Sequence, residues 1–422
     1  MTPQDRALLA SMFEAAVAAA DPRKALAAHL PARPRGRTVV IGAGKGAAQL
    51  AAAFEDLWDA PLEGVVVTRY GYACPTRHIR VLEAAHPVPD KAGLQASDAL
   101  FAAVAGLGPD DLVVALVCGG GSALLAAPAA GLDLSDEVAL NETLLASGAP
   151  IGAMNAIRKQ FSRIKGGRLA LAAHPARVVS LIVSDVPGDD PAQVASGPTV
   201  ADRVGRAEAR AALRDHGIIL PTRLARFLTD APEDAPLPGD PRLAGNEVHV
   251  IASAARSLDA AAEVARAAGV DAVILSDAIE GEAREVARMH GAMAREVTRR
   301  GRPFAPPVVM LSGGETTVTI RDKAGRGGRN TEFLLSFALS VEGCAGIAAL
   351  AADTDGIDGS EDNAGAFADG ETAARMRGAG YDPAMTLAAH DAWAAFDAVG
   401  QLFVTGPTGT NVNDLRAILI RG

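Results

Sequence analysis

Apolar positions along the chain fall into two alternating patterns. Short β-branched runs at Thr38–Ile41, Gly64–Val67, Ile79–Leu82, Leu112–Val117 and Val178–Val183 read as buried strands. Ala- and Leu-rich stretches at Phe13–Ala19, Gly46–Leu57, Lys91–Ala105, Ser135–Ala146, Gly152–Ala172 and Ala207–Asp215 read as the helices around them. This alternation predicts a parallel α/β sheet. From Ala231 to Pro241 the chain turns acidic and proline-rich (Pro232, Pro236, Pro238, Pro241), which neither a helix nor a central strand tolerates. A domain boundary there divides the chain into residues 1–240 and 241–422. Two cores are also what a chain of 422 residues calls for. Strands are expected again at Val248–Ile251, Ala272–Leu275, Val308–Leu311, Thr316–Ile320, Ala345–Ala351 and Leu402–Val404. Thr316–Ile320 follows its predecessor so closely that the second sheet should contain antiparallel pairs.

Composition narrows the partners. A formal charge of -10 without a long basic run argues against nucleic acid or an anionic membrane surface. The uncharged stretch Leu112–Leu132 nears bilayer length, but Gly119, Gly120, Gly121 and Pro128 break it into a strand, a loop and a helix. Asp5 and Glu14 interrupt the N-terminus, which lacks the basic start of a signal peptide. Cys74, Cys118 and Cys344 show neither disulfide nor zinc spacing, as expected of a protein in the reducing cytoplasm.

The chemistry gathers at strand ends, where open α/β sheets bind ligands. Gly42-Ala43-Gly44-Lys45-Gly46-Ala47 follows a strand and opens a helix. Its glycines let a phosphate approach helix N–H groups, and Lys45 can neutralise a phosphate oxygen. A tight turn with a solvated lysine reads the same way locally. Gly119-Gly120-Gly121-Ser122 repeats the arrangement after Leu112–Val117, where three glycines in a row point to close backbone approach or to a flexible connection. G-x-S-x-G would need glycine at Leu124, so a hydrolase nucleophile is disfavoured. Ser184-Asp185-Val186-Pro187-Gly188-Asp189-Asp190 offers carboxylates for Mg²⁺ or for orienting a hydroxyl, or simply a Pro/Gly turn. Lys159, in a basic helical run, is either a phosphate ligand or a solvated residue. In the second half, Gly327-Gly328-Arg329-Asn330 opens a helix with a guanidinium suited to anions. Asp353-Thr354-Asp355-Gly356 concentrates carboxylates after a strand, though not with EF-hand spacing. Glycine loops, placed cations and carboxylates are the parts of phosphoryl transfer, without a Walker A or protein-kinase signature.

These motifs, in this order, resemble the class II glycerate 2-kinases with a MOFRL C-terminal domain. The resemblance also rests on His86-Pro87-Val88-Pro89-Asp90, Lys165-Gly166-Gly167-Arg168-Leu169, Ser196-Gly197-Pro198-Thr199 and Ser312-Gly313-Gly314-Glu315, and it runs from about Val39 to Asn413. The family motif more usually continues with Gln where this chain has Thr331. The resemblance implies an α/β fold of two α/β/α domains, an N-terminal Rossmann-like, mostly parallel sheet and a smaller C-terminal domain with a mixed sheet, with the active site in the cleft between them. It further implies transfer of the ATP γ-phosphate to the 2-hydroxyl of D-glycerate, with Mg²⁺. Lys45 and Arg329 are the active-site cations it carries over. Asp185, Asp190, Asp353 and Asp355 are metal candidates from their chemistry, and Asp185 is also a candidate to assist the hydroxyl. Gly42, Gly44, Gly46, Gly119, Gly120, Gly121, Ser122 and Lys159 are expected around the nucleotide. A homodimer is compatible with the sequence. The alternatives are an NAD(P)H-dependent hydroxypyruvate reductase, using the first glycine loop with Arg69 near a 2′-phosphate, and a non-catalytic nucleotide- or metabolite-binding protein.

Overall fold

The structure, a computed structural model, describes residues 1–230, 235–320 and 325–422. Its strands are β1 (Thr38–Ala43), β2 (Glu63–Arg69), β3 (Ile79–Ala84), β4 (Leu112–Cys118), β5 (Arg177–Ser184), β6 (Glu247–Ser253) and β7 (Asp271–Ser276), then β8 (Gly281–Glu282), β9 (Val308–Ser312), β10 (Thr316–Thr317), β11 (Ile347–Asp353), β12 (Gly365–Asp369), β13 (Leu402–Phe403) and β14 (Asp414–Ile420).

By its contacts the chain forms two compact units, Pro22–Ile251 and a second made of Met1–Asp21 with Ala252–Gly422. Of the proline-rich stretch expected to hold the boundary, Ala231 and Pro232 lie outside the described residues. Met1–Asp21 joins the second unit for an apolar reason. The helix Pro3–Ala19 buries Leu9, Met12, Phe13 and Ala16 against Leu258, Ala261 and Ala262, and Ser257 Oγ donates to the Ala16 carbonyl at 2.8 Å.

The first unit holds a six-stranded sheet of order β3-β2-β1-β4-β5-β6. β1 pairs in parallel with both β2 and β4, and β2–β3 and β4–β5 are parallel too. β6, expected as the first strand of the second sheet, instead sits beside β5. The sheet order reverses direction at β1/β4, the switch point where ligands bind in doubly wound sheets. β1 and β4 are buried at every position, which explains their uninterrupted apolar sequence. Leu112–Leu132 becomes β4, a glycine turn and the short helix Gly121–Leu124; among the described residues no helix is long and apolar enough to cross a membrane.

The expected helix Gly152–Ala172 is two helices, Ile151–Arg158 and Arg168–Ala173, separated by a 3-10 turn and a loop. Gly166 and Gly167 take φ of 65° and 82°, which no α-helix accommodates. The break turns Lys159 and Lys165 inward rather than along a solvated face.

The second unit's sheet has order β13-β12-β11-β14-β9-β7. β11 is antiparallel to β12 and β14, β14 to β9 and β12 to β13, while β7 and β9 are parallel, so the sheet is mixed as expected. The expected strand Thr316–Ile320 shrinks to β10, which leaves this sheet and pairs with β8 in a two-stranded ribbon. Gly314, at φ 99°, turns the chain away after β9, because its missing Cβ leaves room for the Ile279 backbone. Cys74, Cys118 and Cys344 are free thiols.

Candidate functional site

In the first unit the two glycine loops interlock at the ends of β1 and β4. Lys45 N–H donates to the Gly119 carbonyl at 2.9 Å, Gly46 N–H to Cys118 Sγ at 3.2 Å, and Thr68 Oγ1 to the Lys45 carbonyl at 2.9 Å. Gly44 is at φ 137°, and a Cβ there would collide with Cys118 Sγ and its carbonyl. One at Gly42 would lie 2.5 Å from the Leu116 carbonyl oxygen. Gly44→Ala is therefore expected to cost about 3 kcal/mol through strain and overpacking together. Chemical unfolding checks it, and a loss under about 1 kcal/mol would mean that the loop tolerates a side chain.

The side chain of Lys45 reaches out over the second loop. A Cβ on Gly120 would stand 3.0 Å from Lys45 Cγ and 3.3 Å from His86 Nε2. Asp185, at the end of β5, lies against the α-carbon of Gly119. Burial holds the His86 imidazole down at about 4, helped by the Lys45 and Arg69 charges, so the ring is neutral near pH 7. The Cys118 thiol is pushed up to about 12, chiefly by burial, and is no nucleophile.

Three lysines of this unit, Lys45, Lys159 and Lys165, are separated by their pairing. Lys159 is buried in an ion pair with Asp202, and Lys165 Nζ bonds Glu137 Oε1 at 2.8 Å and the Leu125 carbonyl at 2.9 Å. Lys45 Nζ has no hydrogen bond or ion pair among the described residues and is only half-buried. Asp190 is exposed and accepts from Ala192 N–H at 3.0 Å and Gln193 Nε2 at 3.4 Å.

Around the loops runs a polar chain that the sequence pattern did not single out. Ser122 Oγ and Ser196 Oγ share a hydrogen bond of 2.8 Å, and Ser196 Oγ donates to Asn155 Oδ1 at 2.9 Å. Arg158 donates to Asn155 Oδ1 at 3.3 Å and to Asn141 Oδ1 at 3.0 Å, and Asn141 Nδ2 donates to the Pro87 carbonyl at 3.0 Å. His86 had figured only within a motif; its neighbour Pro87 ties it to this chain.

In the second unit Arg329 begins the helix Arg329–Ser340 and forks to three carboxylates. Its Nε donates to Asp414 Oδ1 at 2.8 Å, NH1 to Glu315 Oε1 at 2.8 Å and NH2 to Asp353 Oδ2 at 2.6 Å. Burial alone would lower its pKa, but Asp414, Asp353 and Glu315 raise it. Burial lifts Asp353 well above the usual carboxylate range, against Arg329, while Asp414 and Asp355 add to the rise. The other Asp353 oxygen accepts from Asp355 N–H at 3.0 Å, and Asp355 Oδ1 accepts from Ile357 N–H at 2.9 Å. Asp358 holds the helix start in place, accepting from the Asn330 and Thr331 N–H groups at 2.9 Å each and from Thr331 Oγ1 at 2.8 Å. Thr331 is thus part of the cap. Asp414 and the fully buried Arg416, which also supports the cluster through a 2.7 Å bond to Asp414, lay outside the residues the sequence reading named.

The structure thus gathers Lys45, Asp185 and the glycines of both loops in one unit, and Arg329, Asp353 and Asp355 in the other. Among the described residues no group of three or more His, Cys, Asp or Glu side chains is arranged to hold a metal ion alone. Interlocked glycine loops at a sheet's switch point, with an unpaired lysine over them, define an anion-binding α/β protein of the phosphate-handling class.

Comparison with known proteins gives the family. Residues 8–229 match the family described as "Domain of unknown function (DUF4147)" and residues 308–414 the MOFRL family. A "Glycerate 2-kinase" of Pyrococcus horikoshii is 38% identical over 90% of this chain and 87% of its own length. A crystal structure of glycerate kinase from Thermotoga maritima superimposes with a TM-score of 0.88 at 35% identity, covering 99% of this chain and 100% of that one. A "Putative hydroxypyruvate reductase" of Agrobacterium vitis is 54% identical over 98% of this chain and 94% of its own length. The chain belongs to the class II glycerate 2-kinase family with a MOFRL domain.

Proposed function

We propose that this protein is an ATP-dependent glycerate 2-kinase that moves the γ-phosphate of ATP to the 2-hydroxyl of D-glycerate. The observation that carries the reading is Lys45, whose ammonium has no partner among the described residues and lies over the glycine loops, while Lys159 and Lys165 are paired. A cation held this way neutralises charge on transferring phosphoryl oxygens, the main requirement of phosphoryl transfer. The loop N–H groups and Ser122 orient the phosphates, Lys45 stabilises their charge, and Arg329 is the second cation we assign to the reaction. Asp185 orients the attacking hydroxyl. We assign phosphate handling to residues 1–240 and the Arg329 cluster to the MOFRL-type domain, 241–422.

Mg²⁺ bound with the nucleotide would supply further charge neutralisation on the phosphates. Asp185 is one candidate, a hard oxygen donor lying against the Gly119 loop; Mg²⁺ is commonly held by one or two carboxylates together with substrate phosphates and water. Asp190 is a second candidate nearby in sequence. Asp353 and Asp355 fit less well, because their oxygens are committed to Arg329 and to loop amides. Three free thiols accord with a cytoplasmic enzyme.

The name of the 54% identical relative keeps a reductase reading in view, and the sheet order is one that dinucleotide-binding folds use. Against it, β2 ends in Thr68 and Arg69 rather than in an acid, Arg69 stacks on the Tyr72 ring at 4.1 Å, and the neighbouring Glu83 carboxylate is committed to the Gly71 N–H at 2.7 Å. A thermal-shift comparison of Mg²⁺·ATP with NADPH separates the two readings. Stabilisation by the nucleotide triphosphate alone is expected; stabilisation by NADPH alone would reverse the assignment.

A further inference from the structure

Arg158 is the one charged member of the polar chain around the loops. Its guanidinium is partly buried at the end of the helix Ile151–Arg158 and feels the Glu137 charge, yet it makes no ion pair among the described residues. Both of its hydrogen bonds go to neutral amide oxygens, those of Asn141 and Asn155, and both amides are themselves fixed. Asn141 donates to the Pro87 carbonyl at 3.0 Å, and Asn155 Nδ2 to the Gln193 carbonyl at 3.0 Å. The remaining donors of the guanidinium have no protein acceptor among the described residues. Glu137, whose charge favours the guanidinium, is already paired with Lys165; a second cation beside that pair is costly to withdraw from water, and a fold that braces it there has a use for it.

The guanidinium lines a small pocket together with Pro89, Ser122, Asn141, Leu140 and Phe161. Glu137 and Lys165 also border it, but they pair with each other at 2.8 Å, and the second Glu137 oxygen accepts from Ala127 N–H at 3.0 Å. That pair is neutral, so the pocket keeps the single positive charge of Arg158. Pro89, Leu140 and Phe161 are its apolar part, and the Ser122 hydroxyl stands in the same small pocket as the charge. A triphosphate carries several negative charges and does not match a small pocket with one net positive charge, whereas a carboxylate accepts two parallel N–H bonds from a guanidinium.

We propose that Arg158, braced by Asn141 and Asn155, is the residue that recognises the carboxylate of the hydroxy-acid substrate, with Ser122 next to it at the mouth of the glycine loop. This rests on the kinase reading and specifies the acceptor's side of it: the site selects a small 2-hydroxy carboxylate over the matching amide or polyol. Arg158 is here a binding and specificity residue and takes no part in the phosphoryl step.

The test is a comparison of D-glycerate with glyceramide, its uncharged carboxamide, in wild type, Arg158→Gln and Arg158→Lys. Wild type should strongly prefer glycerate. In Arg158→Gln the KM for D-glycerate should rise on the order of 100-fold, the KM for ATP should stay within about 2-fold, and the preference over glyceramide should collapse. Arg158→Lys keeps the charge without the fork, and should raise the glycerate KM about 10-fold with an unchanged melting temperature, which keeps the test available if the Gln variant fails to fold. An unmoved glycerate KM, a KM for ATP that rises in parallel, or a preserved preference for glycerate would each overturn the proposal. If wild type shows no glycerate-dependent turnover at all, it is the kinase reading that fails. Calorimetric titration of D-glycerate into wild type and Arg158→Gln then still decides: binding lost in the variant upholds the subsite, and equal binding or none in either protein overturns it.

Discussion

Replacing Lys45 with Ala should lower kcat/KM with glycerate and ATP on the order of 1,000-fold while leaving the fold intact. Stability should survive because the loop is held by its backbone. The Lys45 N–H bond to Gly119 and the Thr68 bond to the Lys45 carbonyl do not involve the side chain. The ammonium has no ion pair to lose, and only the contact of the methylene stem over Gly120 disappears. A melting temperature within about 2 °C of wild type is expected. A second signal accompanies the loss of rate. The Lys45 charge helps hold His86 at about 4, so its removal should move the imidazole upward, which proton NMR of the ring can follow. Lys45→Arg restores charge and should recover part of the rate. Near-normal turnover in Lys45→Ala would remove the residue from the mechanism.

Arg329→Ala should abolish turnover and also destabilise the second unit, by about 3–5 kcal/mol, because it strips a shared cation from three carboxylates. Asp353 and Asp414 are buried, and among the described residues the Asp414 side chain would keep Arg416 and the Asn330 amide. The loss should depend on pH in a definite direction. Asp353 already sits well above the usual carboxylate range, and without Arg329 it rises further. A carboxylate whose folded pKa exceeds its unfolded one holds a proton in the native state that the unfolded chain releases. Stability therefore falls as pH rises through the unfolded and then the folded value. The deficit against wild type should be larger at pH 8 than at pH 5. The two tryptophans allow a clean measurement, since Trp58 lies in the first unit and Trp393 in the second. In a Trp58→Phe background, urea titration followed by Trp393 fluorescence reports the second unit. An equal or smaller deficit at pH 8 would show that Arg329 does not neutralise these carboxylates. Arg329→Lys should rescue poorly, since one ammonium cannot fork to three acceptors.

The parts legible in the sequence were those that obey local rules. β1 and β4 are buried at every position and announce themselves as apolar runs, and glycines at their ends mark places where a Cβ has no room. β14 escaped notice because Arg416 interrupts its apolar pattern; the residue is fully buried but satisfied by Asp414 and the Gly313 carbonyl, a compensation no periodicity reveals. β12, Gly365–Asp369, is short, with alanines and a glycine in place of β-branched residues. Arg158 and Lys159 looked alike as neighbours in a basic run. Only the fold shows that Lys159 is paired with Asp202, while Arg158 rests on amides. The bond between Ser122 and Ser196 joins residues 74 positions apart, a relation that single-sequence spacing cannot show.

The most direct test of the central claim is a coupled ADP-release assay with D-glycerate and Mg²⁺·ATP, followed by phosphorus NMR of the product. The account predicts glycerate-dependent ADP and a signal for 2-phosphoglycerate. Absence of ADP release, with NADPH oxidised in the presence of hydroxypyruvate, would contradict it and make Lys45 a ligand for a reductase's cofactor or substrate.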